Sequence, residues 1–193
     1  MAVLHVFVDT NVWLSFYAFA KDDVTELTKL TDLIANGTLK LYVSAQVEQE
    51  FSRNREVKLA DSIKNFSAGF SKAVPRFLMD LQEAEAFKKA AEDLEKARNN
   101  LVQSATEGAV SRTFAVDKLV AEIFAAAKVG KVRPTMIRKA RLRRDIGNPP
   151  GKGLSLGDQI NWEYLLATVP EDVTLHIVSK DGDCPPSAPM AQI

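Results

Sequence analysis

Three short, largely apolar runs rich in β-branched residues constrain the fold of this 193-residue chain more than any other feature. They cover residues 3–8, 39–43 and 173–179. Runs of this length and composition are typical of strands buried in a parallel sheet. A helical pattern over residues 22–35 follows the first run and is predicted to stop at Asn36-Gly37. A strand, a helix and a second strand in this order predict an α/β crossover unit.

The middle of the chain has a different pattern, because no strand is predicted between about residues 55 and 145. Residues 77–101 predict one long helix with an apolar stripe, and residues 116–127 predict another. Val74-Pro75 and Glu107-Gly108 are predicted breaks. The stripe consists of Phe77, Leu81, Ala84, Phe87, Ala91, Leu94 and Leu101.

The α/β pattern resumes after a loop of sequence GNPPGKG at residues 147–153. A helix is predicted to begin near Ser155 and to end before Pro170, where the third strand follows. Ser44 is predicted to cap the helix that leaves the second strand. We therefore predict a single α/β domain over residues 1–193. Its α/β core is assigned to residues 1–55 and 150–184, and a helical insertion to residues 56–149.

The scarcity of histidine and cysteine excludes several kinds of chemistry. The two histidines lie inside predicted strands, and Cys184 is the one cysteine. No Cys/His cluster is present for zinc, and no GxSxG elbow for a serine hydrolase. A lone cysteine favours a cytoplasmic protein, and no apolar run approaches the length of a membrane span.

Acidic residues follow the predicted strands at comparable places. Asp9 ends the first run, Asp181 follows the third, and Glu50 lies six residues after Ser44. Asp158 lies in the first turn of the helix after the glycine-rich loop. Each has a simpler interpretation: Asp9 and Asp181 as turn residues, Glu50 as a solvated helix residue, and Asp158 as part of a cap. Together they predict one acidic edge, where Mg²⁺ or Mn²⁺ would offset the repulsion.

Four segments resemble, in order, the acidic motifs of the PIN domain. They read FVDTNVWL, VSAQVEQEF, SLGDQINWEYLL and HIVSKDGD. The resemblance implies a Rossmann-like sandwich with a central parallel sheet, in a subgroup with a large helical insertion. It also implies a nuclease, most often a ribonuclease, whose acids hold Mg²⁺ or Mn²⁺. The implied catalytic and metal-binding acids are Asp9, Glu50, Asp158 and Asp181, with Asp183 as an auxiliary metal ligand and Asn11 as an accompanying polar residue.

The formal net charge of zero hides an uneven distribution. Residues 128–152 contain nine Lys and Arg residues against one Asp, which gives this segment a charge of +8. Such a segment can bind phosphates with a salt-dependent, largely sequence-independent affinity. A solvated helix face or a surface for a protein partner is the alternative. The predicted substrate-binding residues are Asn11, Arg141, Arg143, Arg144 and Lys152.

Together these features predict a metal-dependent endoribonuclease that hydrolyses phosphodiester bonds in RNA in preference to DNA. One alternative is a catalytically degenerate PIN fold that binds RNA or protein. Another is a haloacid-dehalogenase-like phosphatase, which is disfavoured because Asn11 stands where that family needs a second acid. The sequence also leaves open a toxin-like protein with an antitoxin partner, and a homodimer.

Overall fold

Three parallel strands form the sheet of this protein. The computed structural model describes residues 3–17, 25–68, 73–150 and 155–180. The strands are β1 (Leu4–Val8), β2 (Leu39–Tyr42) and β3 (Leu175–Val178), in the order β2-β1-β3. Val6 of β1 pairs with Leu41 on one side and with His176 on the other. The three predicted strands and the α/β class are confirmed.

Helices surround this sheet and account for most of the described residues. They are α1 (Thr10–Ser15), α2 (Thr25–Ala35), α3 (Ala45–Ser67), α4 (Glu83–Ser111), α5 (Ala115–Ala127), α6 (Pro134–Asp145) and α7 (Gly157–Thr168), with a 3-10 turn at Arg76–Leu78. The sequence patterns did not predict α1, which begins directly after β1. Asp9 caps it, because the Asp9 side chain accepts a hydrogen bond from the first helical N–H.

The predicted helix over residues 77–101 differs from the observed one at both ends. α4 begins only at Glu83, and it continues to Ser111. The predicted break at Glu107-Gly108 is therefore wrong. Gly108 lies within the helix. A Cβ there would stand 2.8 Å from Phe114 Cε1, so the missing side chain leaves space for that ring. The break at Val74-Pro75 is confirmed, since both residues lie outside any helix.

The core joins the sheet to the helices on its face. Trp13 of α1 packs edge-on against Phe124 of α5, and Phe51 of α3 contacts the same ring. Val120, Ile123 and Phe124 belong to one buried cluster with the strands. α5 therefore completes the hydrophobic core, although it lies in the stretch assigned to the insertion. The assignment of domain boundaries stays a prediction.

A buried ion pair connects three helices away from the sheet. Arg55 of α3 donates through Nε and Nη2 to the two carboxylate oxygens of Asp117 on α5, each at 2.6 Å. Its Nη1 donates to the Ala109 carbonyl of α4 at 2.9 Å. The Tyr17 hydroxyl donates to the same carboxylate. This cluster ties α3, α4 and α5 to the end of α1.

Some sequence predictions fall outside the described residues. These are the roles of Lys152, Asp181 and Asp183 and the irregular tail after Cys184. Among the helices of the described part, none combines the length and apolar character that a membrane crossing requires.

Candidate active site at the carboxyl edge of the sheet

Asp9 lies where β1 ends, α1 begins and β3 ends. Its Oδ1 accepts a hydrogen bond of 2.7 Å from the Thr10 backbone N–H. Its Oδ2 accepts one of 3.1 Å from Ser179 Oγ, and the Asp9 backbone N–H donates to the Val178 carbonyl at 2.9 Å. The side chain is half-buried. These bonds hold the Asp9 carboxylate at the carboxyl edge of the sheet, where open parallel sheets bind ligands.

Glu50 approaches the same edge from α3. The Ser44 hydroxyl accepts a hydrogen bond of 3.1 Å from the Val47 N–H, so the predicted cap is confirmed and α3 begins close behind β2. Glu50, in the second turn, then lies next to Thr10. Thr10 Oγ1 donates to Glu50 Oε2 at 3.3 Å, and only 2% of Thr10 is exposed. The buried hydroxyl therefore orients a carboxylate that belongs to a different element.

Asp158 is exposed in the first turn of α7, as predicted. The preceding residue allows α7 to approach α3, because a Cβ on Gly157 would lie 3.3 Å from Glu50 Oε2. One turn later the two helices are joined by a buried hydrogen bond of 2.6 Å from Ser44 Oγ to Asn161 Oδ1. α7 is thus docked with its N-terminus beside Glu50.

The three carboxylates act on one another electrostatically. Burial raises the pKa of Glu50 above its ordinary value, and the charges of Asp158 and Asp9 raise it further. The hydrogen bond from Thr10 and the charge of Arg53 oppose this shift. Like charges near one another destabilise the folded state, so such an arrangement is more typical of a functional site than of a structural one.

The donor chemistry of these acids fits a hard divalent cation. Mg²⁺ and Mn²⁺ prefer carboxylate oxygens, and a bound cation would relieve the repulsion at Glu50. Among the described residues, however, no three His, Cys, Asp or Glu side chains are grouped closely enough to hold a metal. Asp181 and Asp183, two of the five acids in the predicted set, lie outside those residues. Metal ligation by this set stays a prediction.

Arg143 makes contacts that its predicted role did not anticipate. Its Nε and Nη2 lie 2.9 and 2.8 Å from Glu163 Oε1 on α7, and its Nη1 donates to the Pro149 carbonyl at 3.1 Å. The Glu163 side chain is only 7% exposed. Arg143 therefore joins α6, the loop that follows it and α7. These contacts give Arg143 a structural role, and a phosphate-binding role for it stays a prediction.

The other predicted substrate-binding residues lie on the surface or outside the described residues. Asn11 is exposed on α1 and Arg141 on α6. Arg144 forms a half-exposed ion pair of 2.9 Å with its neighbour Asp145. Lys152 lies outside the described residues. The exposed basic side chains of this region are Lys128, Lys131, Arg133, Arg138, Lys139 and Arg141.

Sequence reasoning missed the residues that orient the acids. Thr10 and Ser179 donate to Glu50 and Asp9, and Gly157 leaves the space that Glu50 occupies. Thr10 and Ser179 each adjoin a strand end, which is the one available sequence signal. Their partners are 40 and 170 residues away, so no local pattern identifies the pairs.

The parallel sheet and the close approach of α3 and α7 at its carboxyl edge define an α/β fold with acidic side chains at that edge. The sequence model described as PIN domain matches residues 6–183, and the chain belongs to the PIN domain family. PIN domains are generally nucleases, interact with nucleic acid and typically use Mg²⁺ or Mn²⁺. Comparisons with curated proteins and with solved structures give no match.

Proposed function

We propose that this protein is a metal-dependent endonuclease that hydrolyses phosphodiester bonds in RNA. The observation that supports this most is the carboxyl edge of the sheet, where hydrogen bonds orient Asp9 and Glu50 and the charges of Asp158 and Asp9 raise the pKa of Glu50. Carboxylates from separate elements repel one another, whereas a metal-dependent site requires several of them at one edge. The preference for RNA follows from the family, which consists mostly of ribonucleases.

Each acid has a distinct part in the proposed site. Asp9 and Glu50 are oriented before substrate arrives, since Ser179 and Thr10 donate to them. Asp158 is exposed and so faces the solvent from which substrate comes. Asp181 completes the proposed set, with Asp183 as an auxiliary ligand. When bound, Mg²⁺ or Mn²⁺ supplies Lewis-acid chemistry that offsets phosphate charge and favours the ionisation of water.

The basic surface of α6 is proposed to bind the phosphates that flank the scissile bond. α6 packs against α7, the helix whose first turn holds Asp158. Contacts from Lys and Arg to phosphates position a nucleic acid without reading its sequence. Arg141, exposed on α6, is the residue proposed to act in this way.

The test uses the purified full chain with labelled single-stranded RNA and DNA of the same sequence. We expect RNA cleavage with Mn²⁺, none with EDTA, and recovery when Mn²⁺ is added back. Asp158→Asn should lower the rate by about 100-fold or more. Glu48→Gln, an exposed acid on α3, serves as the control and should retain the wild-type rate. Cleavage that persists in EDTA would contradict the proposal.

Binding measurements separate the enzyme from a degenerate PIN fold. A working site should make the melting temperature rise with Mn²⁺ concentration, because a ligand of the folded state stabilises it. Asp158→Asn should reduce that rise. RNA binding without cleavage, together with a melting temperature that is insensitive to Mn²⁺, would favour a binding module instead.

A further inference from the structure

α4 exposes an apolar seam with a seven-residue repeat. Phe87, Leu94 and Leu101 follow one another at intervals of seven, and they are 45%, 53% and 58% exposed. The residues three positions after each are small and also exposed, namely Ala90, Ala97 and Ser104. This spacing places the large residues at position a and the small ones at position d of a heptad repeat, the two positions that face the partner in a coiled coil.

Phe87 and Leu94 are about half-exposed in the described structure, whereas Leu101 lines an apolar groove together with Leu59 and Ile63 of α3. α4 packs against its own chain along the row beside the seam, in which Ala84 and Ala91 are buried and Arg98, seven residues after Ala91, is half-buried. Phe66 lines the same groove as Leu101, and Phe77, Met79 and Leu81, which precede α4 in the chain, are also exposed. Large apolar side chains grouped on a protein surface are typical of a site of association.

We propose that two copies of this chain associate through the seam as a parallel, two-stranded coiled coil. The charges beside the seam support both the occupant and its orientation. Asp93 lies just before the seam residue Leu94, and Arg98 lies just after Ala97. These are the g and e positions of successive heptads, and in a parallel pair each g residue faces the e residue five positions later in the partner. Asp93 and Arg98 would therefore form two ion pairs, one on each side of the seam.

An antiparallel pair would lose this complementarity. In that arrangement g faces g and e faces e, so Asp93 would not lie opposite Arg98. Within the described part of the chain, neither side chain forms an ion pair of its own. The small residues at 90, 97 and 104 would allow the two helix backbones to approach closely.

Sedimentation equilibrium on the purified full chain tests the association. We expect a dimer for the wild type and a dissociation constant raised at least about tenfold by Leu94→Glu. Val110→Glu is the matched control, because Val110 is 83% exposed on the same helix but lies outside the seam. It should dimerise as the wild type does. A monomeric wild type, or a dimer that Leu94→Glu leaves intact, would overturn the proposal.

A charge exchange tests the parallel orientation. Asp93→Arg and Arg98→Asp should each weaken the dimer, and the double variant should restore it, because the pairs re-form with their signs exchanged. Circular dichroism of every variant checks that the helices remain folded. Additive weakening in the double variant would overturn the parallel arrangement.

Discussion

At the scale of single residues, the surroundings of Glu50 disfavour the ionised carboxylate that its proposed metal-binding role requires. Burial and the charges of Asp158 and Asp9 raise the pKa of Glu50. A raised pKa in the folded state means that the folded protein binds the proton more tightly than the unfolded chain does. The contribution of Glu50 to the unfolding free energy is therefore largest below the ordinary glutamate pKa of 4.5, and it is lost as the pH rises through the raised value.

Glu50→Gln should separate stability from activity. In EDTA at pH 7 we expect the melting temperature to rise, because the variant removes a half-buried carboxylate that neighbouring acids also repel. The gain should vanish below the ordinary glutamate pKa, and cleavage should be lost at every pH. Glu48→Gln should change neither property. A melting temperature lowered at pH 7 would contradict this account of the Glu50 environment.

Asp117 has the opposite electrostatic situation, because its partner is a buried cation. Burial by itself would raise the pKa of Asp117, but the hydrogen bonds from Arg55 and Tyr17 lower it overall. Asp117→Ala would leave the Arg55 guanidinium buried without a counter-charge, and we expect a loss of about 3 to 5 kcal/mol of unfolding free energy. Urea denaturation measures this loss. Glu122→Ala, an exposed acid on the same helix, should cost little, and an equal loss there would contradict the assignment.

At the scale of elements, Arg143 contributes to the contact of α6 with α7, whereas Arg141 contributes to the exposed basic surface. Arg143 pairs with the nearly buried Glu163, and Arg141 is exposed. Both residues belong to the same basic run of the sequence, so their charges alone do not distinguish them. The structure separates a side chain that holds two helices together from one that faces solvent.

Alanine substitutions should reveal this difference. Arg143→Ala leaves the Glu163 carboxylate without its partner, and we expect a loss of about 1 to 3 kcal/mol of unfolding free energy. Arg141→Ala should leave the stability unchanged, weaken RNA binding and reduce the dependence of log K on log salt by about one. Urea denaturation and salt-dependent binding assays measure the two effects. Equal stability losses in the two variants would contradict the distinction.

Elements whose pattern is local could be predicted from sequence, and those that depend on distant neighbours could not. The three strands follow from their apolar runs, and the start of α3 follows from Ser44. α1 has only six residues, too few for a helical period to emerge. α4 passes through Gly108, whose missing side chain leaves space for Phe114 at the start of the next helix, a contact that the local sequence does not reveal.

At the scale of the whole molecule, a net charge of zero results from separate acidic and basic regions. The acidic edge of the sheet lies at one end of α7, and α6 with its basic residues packs beside that helix. Sequence patterns predicted Asp9, Glu50 and Asp158 one by one, because each adjoins a strand end or a helix start. Their mutual electrostatic effect, and the support from Thr10, Ser179 and Gly157, arise only when α3 and α7 dock, which no local pattern encodes.

The most direct test of the central claim is the initial rate of RNA cleavage in Mn²⁺ by the wild type and by Asp9→Asn. Asparagine retains an oxygen that can accept the Thr10 N–H bond and cap α1, so the fold should persist. It removes the negative charge that a metal site requires. The account predicts a rate lowered by about 100-fold or more with an unchanged circular dichroism spectrum. An Asp9→Asn protein that cleaves RNA at the wild-type rate would contradict it.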